Sequence, residues 1–229
     1  MNSKTNEEKY AVPQSESMDI LYAAGEALSN FIPFAGPDLF RLVFTSPLET
    51  RRNKWMEEVG KALLDLHNKK IVEIHSLAKN EEFVTIATEV TKVALAQHEE
   101  EKLHYLKNAI LNSLLQDLKY DIKYSFIRAV EQLTPRHVQI LRWLKPQSPG
   151  QVKVIVGRDN IVKELALSHF DGMEEVAAVF FEDLCQYRFI EKEIFNYSSH
   201  MMERYTFKNW GVMFLEFIDS PNLKHTKES

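Results

Sequence analysis

The chain has 229 residues, 45 % of them hydrophobic, and a formal net charge of −5. That apolar content excludes a disordered chain, and the length suits one large domain or two small ones. The acidic balance excludes a general attraction to nucleic acid or anionic membrane, and the single cysteine, Cys185, excludes an intramolecular disulfide and fits a reducing cytoplasm.

Seven glycines and eight prolines among long runs at helical spacing predict a mainly α protein. The expected layout is a polar disordered tail over 1–17, a helical bundle over 18–124 built on a long spine helix, a second domain over 125–219, and a disordered tail over 220–229. Residues 1–124 carry 15 Lys+Arg against 19 Asp+Glu, and residues 125–229 carry 13 against 14, so neither half is basic. The N-terminal stretch has no signal-peptide apolar region, and no run approaches the roughly 18 apolar residues of a membrane span.

Met18 to Ile32 has helical spacing and is stopped by Pro33. After the turn made by Pro33, Gly36 and Pro37, Asp38 is placed to cap a short helix carrying Leu39, Phe40, Leu42, Val43 and Phe44. This reads as a buried helical hairpin. The alternative is a membrane-active segment, Leu28 to Phe44, that inserts when triggered; Arg41 within it argues against a permanent span.

Ser46-Pro47-Leu48-Glu49 has the order of an N-cap, a first-position proline and a capping-box glutamate, so a helix is predicted to begin there. It would bury Trp55, Val59, Ala62, Leu63 and Leu66. Arg51, Arg52 and Lys54 form a basic cluster in its first turns, opposite in sign to what the helix dipole prefers. Such a cluster is solvated, paired with Glu57 or Glu58, or in contact with phosphate or an acidic partner. Asn80 caps the next helix, whose inner face is Phe83, Ile86, Ala87, Val90, Val93, Ala94 and Ala96.

From Glu99 to Leu133, apolar residues recur at Leu103, Leu106, Ile110, Leu114, Leu118, Ile122, Phe126, Val130 and Leu133, one side of a helix. This is the spine, either unbroken or interrupted near Lys119 to Lys123. Its polar side, including Glu99, Glu100, Glu101, Lys102, Lys107, Lys119 and Lys123, reads as a solvated face. Thr134 and Pro135 then start a new helix burying Val138, Ile140, Leu141 and Leu144.

Beyond a Pro/Ser/Gly loop, Asp159 or Asn160 is placed to cap a helix ending near Phe170, and Asp171 with Glu174 to form a capping box for the next. Two short extended pieces then form a hairpin, and Asn209 onward reads as a closing helix. This order, with Leu184, Phe189 and Ile190 closing the third helix and Thr206, Gly211 and Phe214 after the hairpin, resembles a winged-helix domain over about 125–219. The resemblance implies that the third helix and the wing form the contact surface. That helix carries Glu174, Glu175, Glu182 and Asp183, which would repel phosphates. The first half is similar to uncharacterised bacterial α-helical proteins in Pro33, Gly36 and Pro37, in Arg51 and Arg52, and in Glu101, Lys102 and Asn108. That second resemblance implies association with phage-defence or stress loci.

No catalytic residue, metal ligand or cofactor site is expected. Glu101 and His104 have the spacing of half a di-iron motif without the second half, and His67, His75 and His98 match no zinc pattern. Cys185 lies among Phe180, Phe181, Leu184 and Phe189 and reads as a buried, unreactive thiol. Arg158 at a helix start is placed to meet an anion, whereas Trp143, Trp210, Phe214 and Phe217 read as core.

Three readings follow. The favoured one is a non-enzymatic cytoplasmic module that binds another protein or itself through Glu174, Glu175, Glu182 and Asp183. The second is a nucleic-acid-binding regulator using Lys192, Arg204 and Lys208 with Arg51, Arg52 and Lys54. The third is a membrane-active effector using the Leu28 to Phe44 segment.

Overall fold

The computed structural model describes residues 38–146, 154–197 and 200–221, with side chains over 48–146, 156–196 and 201–221. The tail at 1–17, the helix Met18–Ile32, the turn at Pro33 to Pro37, the loop from Gln147 to Gln151 and most of the expected tail at 220–229 lie outside the described residues. So does Leu28 to Pro37, the greater part of the proposed membrane-active segment. What is described is mainly α, with a small antiparallel sheet. It divides into two compact units at Ala96/Gln97. The boundary expected at 124/125 falls instead inside a helix, because the spine packs its buried face within the second unit.

The first unit contains α1 (Asp38–Asn68), α2 (Ile74–Leu77) and α3 (Glu81–Leu95). At 31 residues α1 is about 46 Å long at 1.5 Å per residue. It runs straight through Ser46 and Pro47, so the expected helix start there is corrected. Proline removes the N–H that would bond the Val43 carbonyl and crowds that carbonyl, and the helix continues across it with the bonds of the turns on either side. Trp55, Val59 and Leu66 are buried as expected, whereas Ala62 and Leu63 are half-buried. Trp55 Nε1 donates to Thr91 Oγ1 of α3 at 3.1 Å, which satisfies a buried indole that the apolar pattern had not matched to a partner. Lys70 at φ +58 ends α1, with Ile71 N–H reaching back to the Leu66 carbonyl. Asn80 caps α3 as predicted, its Oδ1 accepting the Phe83 N–H at 3.0 Å.

The second unit contains α4 (Glu100–Leu115), α5 (Tyr120–Gln132), α6 (Pro135–Leu144), β1 (Val154–Val156), α7 (Arg158–His169), α8 (Glu174–Gln186), β2 (Ile190–Tyr197), β3 (His200–Phe207) and α9 (Asn209–Ile218). The spine is therefore two helices, the second of the two alternatives, broken at Gln116 to Lys119 with the residues from Tyr120 onward opening α5. The end of α4 is held by tertiary contacts. Asn112 Nδ2 donates to the carbonyls of Phe217 at 2.9 Å and Asp219 at 2.8 Å, and Gln116 Nε2 to that of Glu216 at 3.0 Å. Asn108 Nδ2 adds the Ile218 carbonyl at 2.9 Å. The side-chain amides of α4 thus take up the carbonyls that the end of α9 leaves without intrahelical donors.

The solvated face expected on the spine holds at Glu99, Glu100, Glu101 and Lys119, which are exposed, and is corrected at two positions. Lys102 and Lys123 are only 6 % and 7 % exposed. Lys102 lays its aliphatic stem in the core and its ammonium donates to the Glu131 carbonyl at 2.8 Å, near the C-terminal end of α5 where a cation is favoured. Burial holds that amine below its ordinary value.

The sheet has the order β1-β3-β2, all antiparallel, with Ile190 opposite Phe207 and Val154 opposite Thr206. β1 has no counterpart in the hairpin expected from the sequence, which held two strands. Phe126 of α5 centres the core, with the rings of Trp210, Phe214 and Phe217 at 4.5, 5.7 and 5.5 Å. Phe189 stacks on Phe214 at 4.6 Å. Gly211 lets α9 lie close against these rings, since a Cβ there would lie 3.0 Å from Phe207 Cζ and 3.3 Å from Phe189 Cβ.

Candidate protein-docking face

α7 starts one to two residues before the predicted caps. Gly157 takes the N-cap position at φ +84, which favours glycine, and Asp159 and Asn160 lie in the first turn. The Asp171 and Glu174 capping box is likewise absent. Asp171 sits in the left-handed region at φ +51, closing α7 with Gly172, and α8 takes Met173 as its N-cap. α8 begins with Met173 at the N-cap and no side-chain cap; Glu174 and Glu175 in its first turn suit the helix dipole.

α8 buries Ala177, Phe181 and Leu184, against α7, which buries Ile161, Val162, Leu165 and Ala166. Its orientation is fixed further by His137 in α6. Thr134 and His137 form a reciprocal cap at the start of α6, in which His137 Nδ1 accepts the Thr134 N–H at 3.1 Å. The neutral ring therefore carries its proton on Nε2, which donates to Asp183 Oδ2 at 3.2 Å while the ring stacks on Phe180 at 4.2 Å. At the far end, Arg188 at φ +59 and the Phe189 N–H to the Leu184 carbonyl stop α8 and turn the chain into β2.

Burial holds His137 below its ordinary imidazole value, the nearby Lys102 acting in the same direction and Asp183 opposing it. A second proton would sit on Nδ1, donor against the Thr134 donor. The unfolded chain thus binds this proton more readily than the folded one. Stability from this group is complete above the ordinary value of about 6.5 and falls as pH drops below it. The thermal midpoint is expected to fall between pH 7.5 and 5.0, with a shallower fall in His137→Gln, whose amide oxygen still accepts the Thr134 N–H. His169, lowered by burial with Arg136 nearby, contributes in the same sense, so the difference between the two slopes is the measure. Equal slopes in differential scanning fluorimetry would remove His137 as the source.

With its inner row buried, α8 turns Glu175, Val179, Glu182 and Gln186 outward. Of the four predicted interface residues, Glu174, Glu175 and Glu182 are exposed, and Asp183 is half-buried on His137. An apolar strip accompanies them, which the sequence reading did not identify: Met173, Val176 and Val179 are 52 %, 37 % and 57 % exposed, and Leu167 of α7 is 78 % exposed. Val176 and Val179 fall off the helical phase of the buried row Ala177, Phe181 and Leu184, which is known only once the packing is known.

The predicted nucleic-acid contacts are arranged differently. On the hairpin, Lys192 pairs with Glu203 at 2.5 Å, Arg204 Nε bonds Glu193 at 2.9 Å, and Lys208 pairs with Glu191. The Arg204 guanidinium holds the Glu193 carboxyl below its usual range, and Lys192 does the same to Glu203. Arg158, expected to meet an anion, pairs with Glu182. Arg51 and Lys54 are exposed and Arg52 is half-buried, in the first unit. Their expected acidic neighbour Glu57 is bonded to Lys61 at 2.5 Å.

Cys185 is half-buried, less enclosed than expected, and burial pushes its thiol up to about 12. Glu101 and His104 are exposed, and among the described residues no cluster of histidine, cysteine and carboxylate side chains is arranged to hold a metal ion. Phe214 and Phe217 are core as expected, while Trp143 and Trp210 are half-buried. Among the described residues no helix is long and apolar enough to cross a membrane.

No family model, curated protein or solved structure matches the chain.

Proposed function

We propose that this chain is a protein-interaction module whose second unit is a winged-helix-like domain presenting α8 to another protein. The order α6-β1-α7-α8-β2-β3 and the sheet order β1-β3-β2 support the winged-helix reading. In that arrangement α8 stands where a DNA-reading domain places its recognition helix.

The observation that carries the protein-binding reading is the chemistry of the outer surface of α8. It combines carboxylates with exposed valines, and the hairpin cations that would otherwise meet phosphate are each bonded to a glutamate. Nucleic-acid binding needs a surplus of unpaired cations to displace counterions. Protein contact instead uses desolvated apolar area rimmed by charge.

The double variant Glu174→Lys/Glu175→Lys is expected to lose at least tenfold in recovery of a stoichiometric protein partner from the native lysate, with an unchanged circular dichroism spectrum. Undiminished recovery would remove α8 from the interface. Salt-sensitive DNA binding by the wild-type chain, with no protein recovered, would replace the reading with a nucleic-acid one.

A further inference from the structure

We infer that the partner contacts this face with an amphipathic α-helix whose apolar row is flanked by lysine or arginine. The inference rests on the protein-docking reading above and adds the partner's chemistry to it.

Exposed apolar residues stand on both sides of the α7–α8 turn, Leu167 before it and Met173 after it. Gly172 N–H bonds the Ala166 carbonyl at 2.9 Å, and Met173 N–H bonds that of Phe170 at 2.9 Å. These bonds close the turn that joins the end of α7, with the exposed Leu167, to Met173 at the start of α8. From Met173 the strip continues at steps of three through Val176 to Val179, a row that a facing helix can meet ridge into groove. This row spans about 9 Å at 1.5 Å per residue, which suits about two turns of a partner helix.

The charge beside it is one-sided. Between Arg158 and Gln186 the chain has seven carboxylates against two cations, and Arg158 is already bonded to Glu182. Glu164 lies one turn before Leu167, Asp171 two residues before Met173, and Glu175 one turn before Val179. All three are exposed and have no cationic partner among the described residues. An apolar row alone would accept any amphipathic helix. A rim of unpaired carboxylates favours one with cationic flanks and repels one with acidic flanks.

The test uses the full chain and three synthetic peptides. The first is a helix with leucines at i, i+3, i+4 and i+7 and lysine flanks, the second the same helix with glutamate flanks, and the third a scramble of the first. By backbone-amide NMR, only the first is expected to bind, with its largest perturbations over 167–182. Its affinity is expected to fall at least tenfold in Val179→Asp and in Glu175→Lys, both at exposed positions where the fold is retained. Equal binding of the scramble or the glutamate peptide, perturbations elsewhere, no binding at all, or full affinity in both variants would overturn the inference.

A photo-crosslinker at Val179 in native lysate separates this outcome from failure of the broader reading. A partner crosslinked through an acidic or non-helical segment would overturn the cationic helix and keep protein docking. The absence of any crosslink would defeat both.

Discussion

Asn112→Asp is expected to unfold the second unit at neutral pH, although it changes no side-chain volume. The Asn112 side chain is 2 % exposed, and its Nδ2 faces the carbonyls of Glu216, Phe217 and Asp219 at 3.2, 2.9 and 2.8 Å. An aspartate oxygen in that place brings a buried negative charge against three acceptors and donates to none. An uncompensated buried charge costs several kcal/mol, comparable with the whole stability of a domain of about 5–15 kcal/mol. Asn112→Ala, which removes the donor and some packing without adding charge, is expected to cost about 2–3 kcal/mol. Urea denaturation monitored by tryptophan fluorescence separates the two. An aspartate variant no less stable than the alanine variant would show that water reaches this site.

Phe126→Ala is expected to cost about 3–5 kcal/mol, the range for deleting a buried aromatic ring. Phe126 is fully buried and joins α5 to α9 through Trp210, Phe214 and Phe217. The surrounding rings belong to one rigid helix, so they have little freedom to collapse into the vacated space. Phe126→Leu keeps about half the side chain and is expected to lose less than half as much stability. If both variants unfold at the wild-type urea midpoint, α5 does not contribute to the core of this unit and the domain division at Ala96/Gln97 is misplaced.

Periodicity made most helices legible because their inner rows are apolar without interruption. Val138, Ile140, Leu141 and Leu144 are all buried as the spacing predicts, and the hairpin was evident from its two extended runs. The spine was harder because its decisive residues are polar. Asn108, Asn112 and Lys102 look solvated in sequence, and their burial depends on carbonyls a hundred residues away or across a helix pair. Local start signals failed for the opposite reason. Ser46-Pro47 and Asp171 with Glu174 offer good caps, but α1 continues through the first and a left-handed turn claims the second. β1 is three residues long and pairs only with a strand fifty residues later, too little to leave a pattern of its own.

On the proposed docking face, the carboxylates were legible as a departure from what a DNA-reading helix requires. The apolar strip beside them was not, because valine and methionine in a helix read as core until the buried rows are known. The pairing of Lys192, Arg204 and Lys208 was hidden as well, since cross-strand neighbours depend on hairpin register.

The amide contacts from α4 to the end of α9 span 100 to 110 residues of chain. During synthesis, a ribosome that has released everything up to β3 holds a nascent chain whose first helix in this unit still lacks its counterpart, with Asn112 and the Phe126 pocket open to water. Completion of this unit is therefore tied to the emergence of its last helix. Until then, the earlier helices depend on water or a chaperone to cover surfaces that only α9 can close.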